Sequence, residues 1–158
     1  MNPDKDIESL INYMRKKTSF LEEVLDLTKE EYIAVKKEDL DKVEKLLGER
    51  KTILLEIDKL DKKFIEKFEA LKTNYGVEEI SQIKGDKNLL IDLQEKTKYI
   101  KELLERIKDT EDELKKDFTK QIDEVKQNLL KVNKGKKATS NYHKEPIRTG
   151  GTFLDKKN

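Results

Sequence analysis

The sequence predicts an all-α protein, with three long antiparallel helices in a coiled-coil-like bundle, a short helical connection and a disordered C-terminal tail. Charged residues make up 44% of the 158 residues, and the chain has only two Pro and six Gly. That composition is typical of long helices with solvated faces. Apolar residues recur at alternating spacings of three and four along three segments, which is the period of one face of an α-helix.

The first helix is predicted over about residues 3–37. Asn2 is a residue type that caps helix N-termini, and Pro3 is tolerated at the first helical position. The apolar stripe consists of Ile7, Ile11, Met14, Thr18, Leu21, Leu25, Thr28, Tyr32 and Val35. Continued past Val35, the same phase falls mainly on charged residues. We therefore predict a tight turn near 37–39 and a helical hairpin.

The second helix is predicted over about residues 39–74. Asp39 suits the N-terminus of this helix, because an acidic side chain there interacts favourably with the helix dipole. The stripe consists of Leu40, Val43, Leu47, Arg50, Leu54, Ile57, Asp61, Phe64, Phe68 and Leu71. Gly76 ends the segment. Within the connection, residues 75–86, the spacing of Val77, Ile80 and Ile83 predicts a short helical turn.

The third helix is predicted over about residues 87–133. Its stripe consists of Leu90, Leu93, Thr97, Ile100, Leu104, Ile107, Glu111, Leu114, Phe118, Gln121, Val125, Asn128 and Val132. A spacing near 3.5 residues indicates left-handed, coiled-coil-like packing. Polar breaks such as Arg50, Asp61 and Glu111 favour a small bundle over a two-stranded zipper. We expect this helix to pack antiparallel against the second.

The chain divides into a helical bundle, residues 1–133, and a flexible basic tail, residues 134–158. The tail has seven basic and two acidic residues and loses the helical period, so it should be disordered alone. Tyr142 and Phe153 are candidate docking anchors within it, since aromatic side chains often dominate binding.

Several classes of function are disfavoured. The chain has no Cys, and its one histidine, His143, lies in the tail, so we expect no catalytic residues, no cofactor and no metal site. No apolar run approaches the length of a membrane span, and the N-terminus does not resemble a secretory signal. The helical body is mildly acidic and the basic residues of the tail are scattered, which disfavours nucleic-acid or membrane-surface binding. We interpret the protein as cytoplasmic and not an enzyme.

The third helix is longer than the segment it is expected to pack against. At 1.5 Å per residue the second helix is about 54 Å long and the third about 70 Å. Residues after about 122 should therefore extend beyond the hairpin, and an uncovered apolar helix face is usually an interaction site for another amphipathic helix. The candidate binding residues are Phe118, Ile122, Val125, Leu129, Leu130 and Val132. A bent helix or a dimer could cover the same face instead, so a structural coiled-coil protein that dimerises through its stripes is the main alternative.

Three stretches resemble the flagellar export chaperone family FlgN. Residues 36–64 read KKEDLDKVEKLLGERKTILLEIDKLDKKF, in which a short acidic turn enters a helix with the pattern D-L-x-x-V-x-x-L-L-x-x-x-K-x-x-L-L. The N-L-L at 128–130 is similar to the end of the family's last helix, and the tail with Tyr142 and F-L-D-K-K at 153–157 is similar to the tails of Gram-positive members. The resemblance extends over the whole chain.

The resemblance implies a cytoplasmic, ATP-independent chaperone. Such proteins bind the C-terminal helices of the two hook–filament junction (hook-associated) proteins and hand them to the cytoplasmic domain of the flagellar type III export gate. By resemblance, the apolar face of 122–132 would bind the client and Tyr142 would contact the gate, with Tyr99 a weaker candidate for that role. We expect a monomer or weak dimer. A filament-cap chaperone of the FliT type is the nearest alternative.

Overall fold

The computed structural model describes residues 2–136, with side chains for 2–132. Its elements are α1 (Pro3–Lys36), α2 (Leu40–Tyr75), a 3-10 turn (Ile80–Gln82) and α3 (Lys87–Lys136). The described part is helical and has no strand, so the all-α, three-helix prediction is confirmed. The 3-10 turn lies where the spacing of Val77, Ile80 and Ile83 predicted it. The predicted tail was residues 134–158, and its first three residues belong to α3, which is longer than predicted. The rest of the predicted tail, with Tyr142 and Phe153, lies outside the described residues, and the division into two domains stays a prediction.

The helix starts follow from short polar side chains. The side chain of Asn2 accepts a hydrogen bond from the backbone N–H of Lys5, at 3.3 Å, at the start of α1. Asp39 accepts one from the backbone N–H of Lys42, at 3.2 Å, at the start of α2. Each bond satisfies one of the free N–H groups of a helix N-terminus. The predicted cap at Asn2 is therefore confirmed, and Asp39, predicted at the helix start from its charge, also acts as a cap.

The ends of α1 and α2 share one hydrogen-bonding pattern. After α1, Glu38 N–H donates to Val35 O and Asp39 N–H to Ala34 O. After α2, Gly76 N–H donates to Thr73 O and Val77 N–H to Lys72 O. Both are Schellman endings, which require a left-handed residue. Gly76 has φ 62° and Glu38 has φ 57°, and only the glycine adopts this conformation without a steric penalty.

The core divides into three clusters stacked along the bundle. The first contains Ile7, Leu10, Ile11, Leu71, Ile80, Ile83 and Leu93. The second contains Leu21, Val24, Leu25, Ile57, Ile100, Leu103 and Ile107. The third contains Ala34, Val35, Val43, Leu46, Leu114 and Phe118. Residue numbers rise from cluster to cluster in α1 and α3 and fall in α2, so the topology is up–down–up, with α1 and α3 parallel and α2 antiparallel to both.

The central helix of the bundle is α1. Its backbone packs closely against both α2 and α3, whereas the backbones of α2 and α3 stay further apart. Ten residues of α1 are buried but only four of α2. We expected α3 to pack antiparallel against α2; it is antiparallel to α2, but its principal neighbour is α1. The reason is that α1 carries a stripe wide enough to bury two faces, a property that flanking residues such as Leu10 and Val24 already indicate.

A charged layer separates the second and third clusters. Arg50 on α2 lies 3.3 Å from the carboxylate of Glu31 on α1 and also pairs with Glu111 on α3. Glu31 is fully buried. Arg50 and Glu111 were recognised in the sequence only as polar breaks in two stripes. Glu31 was missed, because it lies beside the α1 stripe and nothing in its local sequence distinguishes it from the many solvated glutamates of the chain.

Candidate protein-binding surface

The helix α3 extends well beyond the hairpin formed by α1 and α2. The side-chain amide of Gln121 donates a hydrogen bond to the backbone carbonyl of Val35, in the last turn of α1. Residue 121 is therefore level with the end of α1, while α3 continues to Lys136. We call residues 123–136 the projecting segment. At 1.5 Å per residue it is about 21 Å long.

Burial along α3 falls abruptly at this level. Phe118 is only 5% exposed and belongs to the third cluster. Ile122 is half-buried against the edge of that cluster. Within the projecting segment, Val125 and Val132 are each 48% exposed. The predicted overhang is therefore present, and it begins at about the predicted residue.

The structure brings together only part of the predicted binding set. Positions 125, 129 and 132 are spaced by four and three residues, so Val125, Leu129 and Val132 share one side of α3. We call these three side chains the apolar face. Leu130 is 54% exposed, but five residues past Val125 is about 140° around the helix. Leu130 therefore lies on another side, and Phe118 lies inside the bundle.

Two residues at this end were not predicted as part of the surface. Leu40, in the first turn of α2, is 37% exposed, and Ile33, in the last turn of α1, is 50% exposed. Both lie next to the 37–39 turn, at the level where α3 leaves the bundle. The sequence contains a usable signal for Leu40, since a stripe residue in a first turn has few neighbours to cover it.

Charged side chains of α1 and α3 interact at this end. The Lys36 ammonium lies 4.4 Å from the centroid of the Tyr32 ring. Interaction with the Tyr32 side chain, together with the nearby carboxylates Asp117 and Glu113 on α3, raises the pKa of Lys36. This lysine therefore keeps its charge beside the acidic side of α3.

The two tyrosines considered for contact with a second partner have different settings. Tyr99 is partly exposed on α3, and its hydroxyl donates to a carboxylate oxygen of Glu22 at 3.1 Å. That hydrogen bond to a carboxylate raises the pKa of Tyr99. Tyr99 therefore already has a partner on α1. Tyr142 lies outside the described residues.

The part of the chain that the structure describes contains no cluster of three or more His, Cys, Asp or Glu residues that could hold a metal ion. No helix within residues 2–136 is long and apolar enough to cross a lipid bilayer.

The described residues form an all-helical bundle in which one long helix leaves part of an apolar face exposed, a feature typical of protein-interaction surfaces. Comparison with known protein families makes this specific. Residues 1–145 match the family described as FlgN protein, and the chain belongs to the FlgN family of flagellar export chaperones. This is a family of chaperones and not of enzymes. No curated protein and no solved structure matches the chain.

Proposed function

We propose that this protein acts in the cytoplasm as the export chaperone of hook–filament junction (hook-associated) proteins. It binds their C-terminal amphipathic helices, prevents their premature association and delivers them to the cytoplasmic domain of the flagellar type III export gate. The family supports the chaperone role. The observation that carries the client-binding part is the apolar face of the projecting segment, where Val125 and Val132 are about half exposed at a level that α1 and α2 do not reach.

The physical basis of this proposal is helix-to-helix burial. A client helix laid along α3 removes its own apolar face and that of the chaperone from water, which is worth about 25 cal/mol per Å² of apolar surface before ordering costs. Ile122 continues the face towards the third cluster. The apolar face consists of only three side chains, so it should bind a client with moderate affinity. Moderate affinity suits a client that must be released again for export.

A second copy of the chain is a poorer occupant. Pairing two projecting segments would bury mainly Val125, Leu129 and Val132 of each copy, whereas stable interfaces use roughly 20–30 residues on each side. We therefore expect a monomer or weak dimer. Light scattering over a wide concentration range tests this. A dimer that persists on dilution and binds no client would favour the coiled-coil scaffold instead.

The binding experiment is a calorimetric titration of the full chain with the C-terminal segment of a hook–filament junction protein from the same cell. We expect saturable one-to-one binding with a negative heat-capacity change, the signature of apolar burial. Leu129→Asp should weaken binding by at least about tenfold, because it places a charge in the buried interface. Val125→Asp should have the same effect.

Leu130→Asp is the matched control for Leu129→Asp. It introduces the same charge one residue away, at an exposed leucine on another side of the helix, and should change affinity by less than about twofold. Circular dichroism should show equal helix content in all three variants. Equal weakening by Leu129→Asp and Leu130→Asp would contradict the proposed face. Binding of a filament-cap protein segment but not of the junction segment would reassign the client to that of a FliT-type chaperone.

Delivery to the export gate is tested separately. We expect Tyr142→Ala to reduce binding to the cytoplasmic domain of the gate while leaving client affinity unchanged. Tyr99→Ala is the control, because Tyr99 is engaged with Glu22. A loss of gate binding with Tyr99→Ala alone would transfer this role to Tyr99.

A further inference from the structure

The sequence of α3 contains the same pattern of residues twice. One copy lies inside the bundle, and the other lies just beyond the end of the α1–α2 hairpin. Phe118, Gln121 and Ile122 are followed seven residues later by Val125, Asn128 and Leu129. In both triplets a carboxamide side chain stands among apolar residues. Seven residues are close to two helical turns, so Asn128 lies on the same side of α3 as Gln121, about 10 Å further along the axis.

The first copy of this pattern is occupied in the structure. Phe118 is buried, Ile122 packs at the edge of the third cluster, and the side-chain amide of Gln121 donates to the backbone carbonyl of Val35. Gln121 therefore hydrogen-bonds the helix that its apolar neighbours pack against. One polar contact inside an apolar interface fixes how two helices are aligned, because shifting the alignment leaves the polar group without a partner.

The second copy of the pattern has no helix against it within residues 2–132. Asn128 is exposed, as is Val125, and Leu129 is half-buried. We propose that Asn128 is a register-determining residue of the client site, whose carboxamide hydrogen-bonds a polar group of the docked client helix as Gln121 does with α1. This inference rests on the proposed function, since it takes the client helix as the occupant of the apolar face.

The occupant is identified by continuity with an interface that already exists in the molecule. The covered part of α3 pairs with the end of α1, and the projecting segment repeats the pairing residues beyond that end. The partner that fits the repeat is another amphipathic helix, with a hydrogen-bonding group in or beside its apolar stripe. A client helix with an uninterrupted aliphatic stripe would leave the Asn128 carboxamide desolvated and unpaired, which is costly.

The test is the same calorimetric titration of the full chain with the junction-protein segment. Asn128→Ala should weaken binding by about five- to tenfold through loss of one buried hydrogen bond. Gln127→Ala is the matched control, because it removes a neighbouring exposed carboxamide whose side chain lies about 100° away around the helix. It should leave the affinity within about twofold. Both residues are exposed, so neither substitution disturbs the core.

A second variant gives a readout that needs no client. Asn128→Leu makes the exposed stripe continuously apolar, and we expect it to self-associate in sedimentation velocity at concentrations where the wild type is monomeric.

The outcomes separate the two proposals. Client binding by the wild type that is unchanged in Asn128→Ala overturns the role of Asn128 and leaves the proposed function standing. No binding by the wild type overturns both. Equal losses for Asn128→Ala and Gln127→Ala also contradict the inference, since they indicate a general effect of the helix surface. An Asn128→Leu variant that stays monomeric also contradicts the inference, since an apolar residue placed within a helix-docking stripe should promote self-association.

Discussion

The two ends of the bundle differ in how they are covered. At one end, the connection between α2 and α3 folds over the first cluster and buries Ile80 and Ile83. It is tied down by a hydrogen bond of 2.9 Å from the backbone N–H of Asp86 to the Asp4 carboxylate. We call this the closed end. At the other, the open end, a turn of a few residues joins α1 to α2 and α3 continues past it.

An apolar helix face is covered only where the connecting segment has enough residues to fold over it. The connection of the closed end has eleven residues between α2 and α3, enough for a 3-10 turn with two buried isoleucines. The turn of the open end has only three residues between α1 and α2, and these are used to reverse direction. The α1–α2 turn therefore has no residues left to fold over Val125 and Val132 of the projecting segment, which stay about half exposed.

The largest expected effect concerns the charged layer at the entrance to the open end. Arg50→Ala leaves the fully buried Glu31 without its arginine. Removing one partner of a buried ion pair costs about 3–5 kcal/mol of stability. Urea denaturation measures this loss. Arg106→Ala, an exposed arginine on α3, is the control and should stay within about 0.5 kcal/mol of the wild type. Equal effects would mean that the layer does not stabilise the bundle.

The next largest effect is a difference in the free energy of unfolding between substitutions in the covered part of α3 and in its projecting part. Leu114 is fully buried in the third cluster and Leu130 is 54% exposed. Leu114→Ala should lower the free energy of unfolding by about 2–5 kcal/mol, through lost burial and the cavity left behind. The same replacement at Leu130 should change it by less than about 0.5 kcal/mol. Denaturant midpoints at constant m-value check both. A large loss at Leu130 would show that the projecting segment is covered in the free protein.

A smaller effect compares the two helix endings. Glu38 and Gly76 occupy the same left-handed position of equivalent Schellman motifs. Glu38→Gly should stabilise the protein by about 0.5–1 kcal/mol, because glycine adopts this conformation without strain. Gly76→Ala should destabilise it by a similar amount, although a Cβ there meets no neighbouring atom within 4 Å. Thermal unfolding of both variants checks the opposite signs, and a loss with Glu38→Gly would contradict the assigned strain.

The smallest effect concerns pH at the closed end. The hydrogen bond from Lys67, opposed by partial burial and assisted by the hydroxyl of Tyr75, lowers the pKa of Asp6 below its ordinary value of 3.8. The folded state therefore favours the carboxylate. This contribution is present above the ordinary value and is lost as the pH falls below it.

Urea denaturation at pH 6 and pH 3 measures the loss for the wild type and for Asp6→Asn. The wild type should lose more stability over this interval than the variant, which has no carboxyl group to titrate at position 6. Identical losses would mean that Asp6 contributes nothing to the pH dependence.

The regular parts of the fold could be predicted from the sequence because they depend on local rules. The caps at Asn2 and Asp39, the ending at Gly76 and the three helical stripes each follow from residues within a few positions of one another. The extension of α3 beyond the hairpin follows from helix length alone. The position of Val125 and Val132 on an exposed face could therefore be anticipated.

What could not be predicted depends on three-dimensional packing. The buried Glu31 pairs with Arg50 of another helix, and no pattern along the chain pairs these two residues. The central helix is the one whose apolar residues are buried against both of the others, and the stripes alone do not show which helix that is. Leu130 was grouped with the binding face although its spacing from Val125 already places it on another side of α3. Phe118 was grouped with the face because spacing alone does not fix the exact level where the hairpin ends. The bond between Gln121 and Val35 sets that level.

The central position of α1 also has a consequence for synthesis. Of the three helices, α1 is synthesised first, and it forms the interfaces with both α2 and α3. The α1–α2 hairpin can therefore form before α3 has been synthesised, and the face of α1 that binds α3 is exposed during that time. In the third cluster, Leu46 is separated from Phe118 by 72 residues. At 5–20 residues per second that gap lasts about 4–14 s. The nascent chain thus holds a bare apolar helix face for seconds, and the end of the molecule that completes its core last is the one that carries the projecting helix.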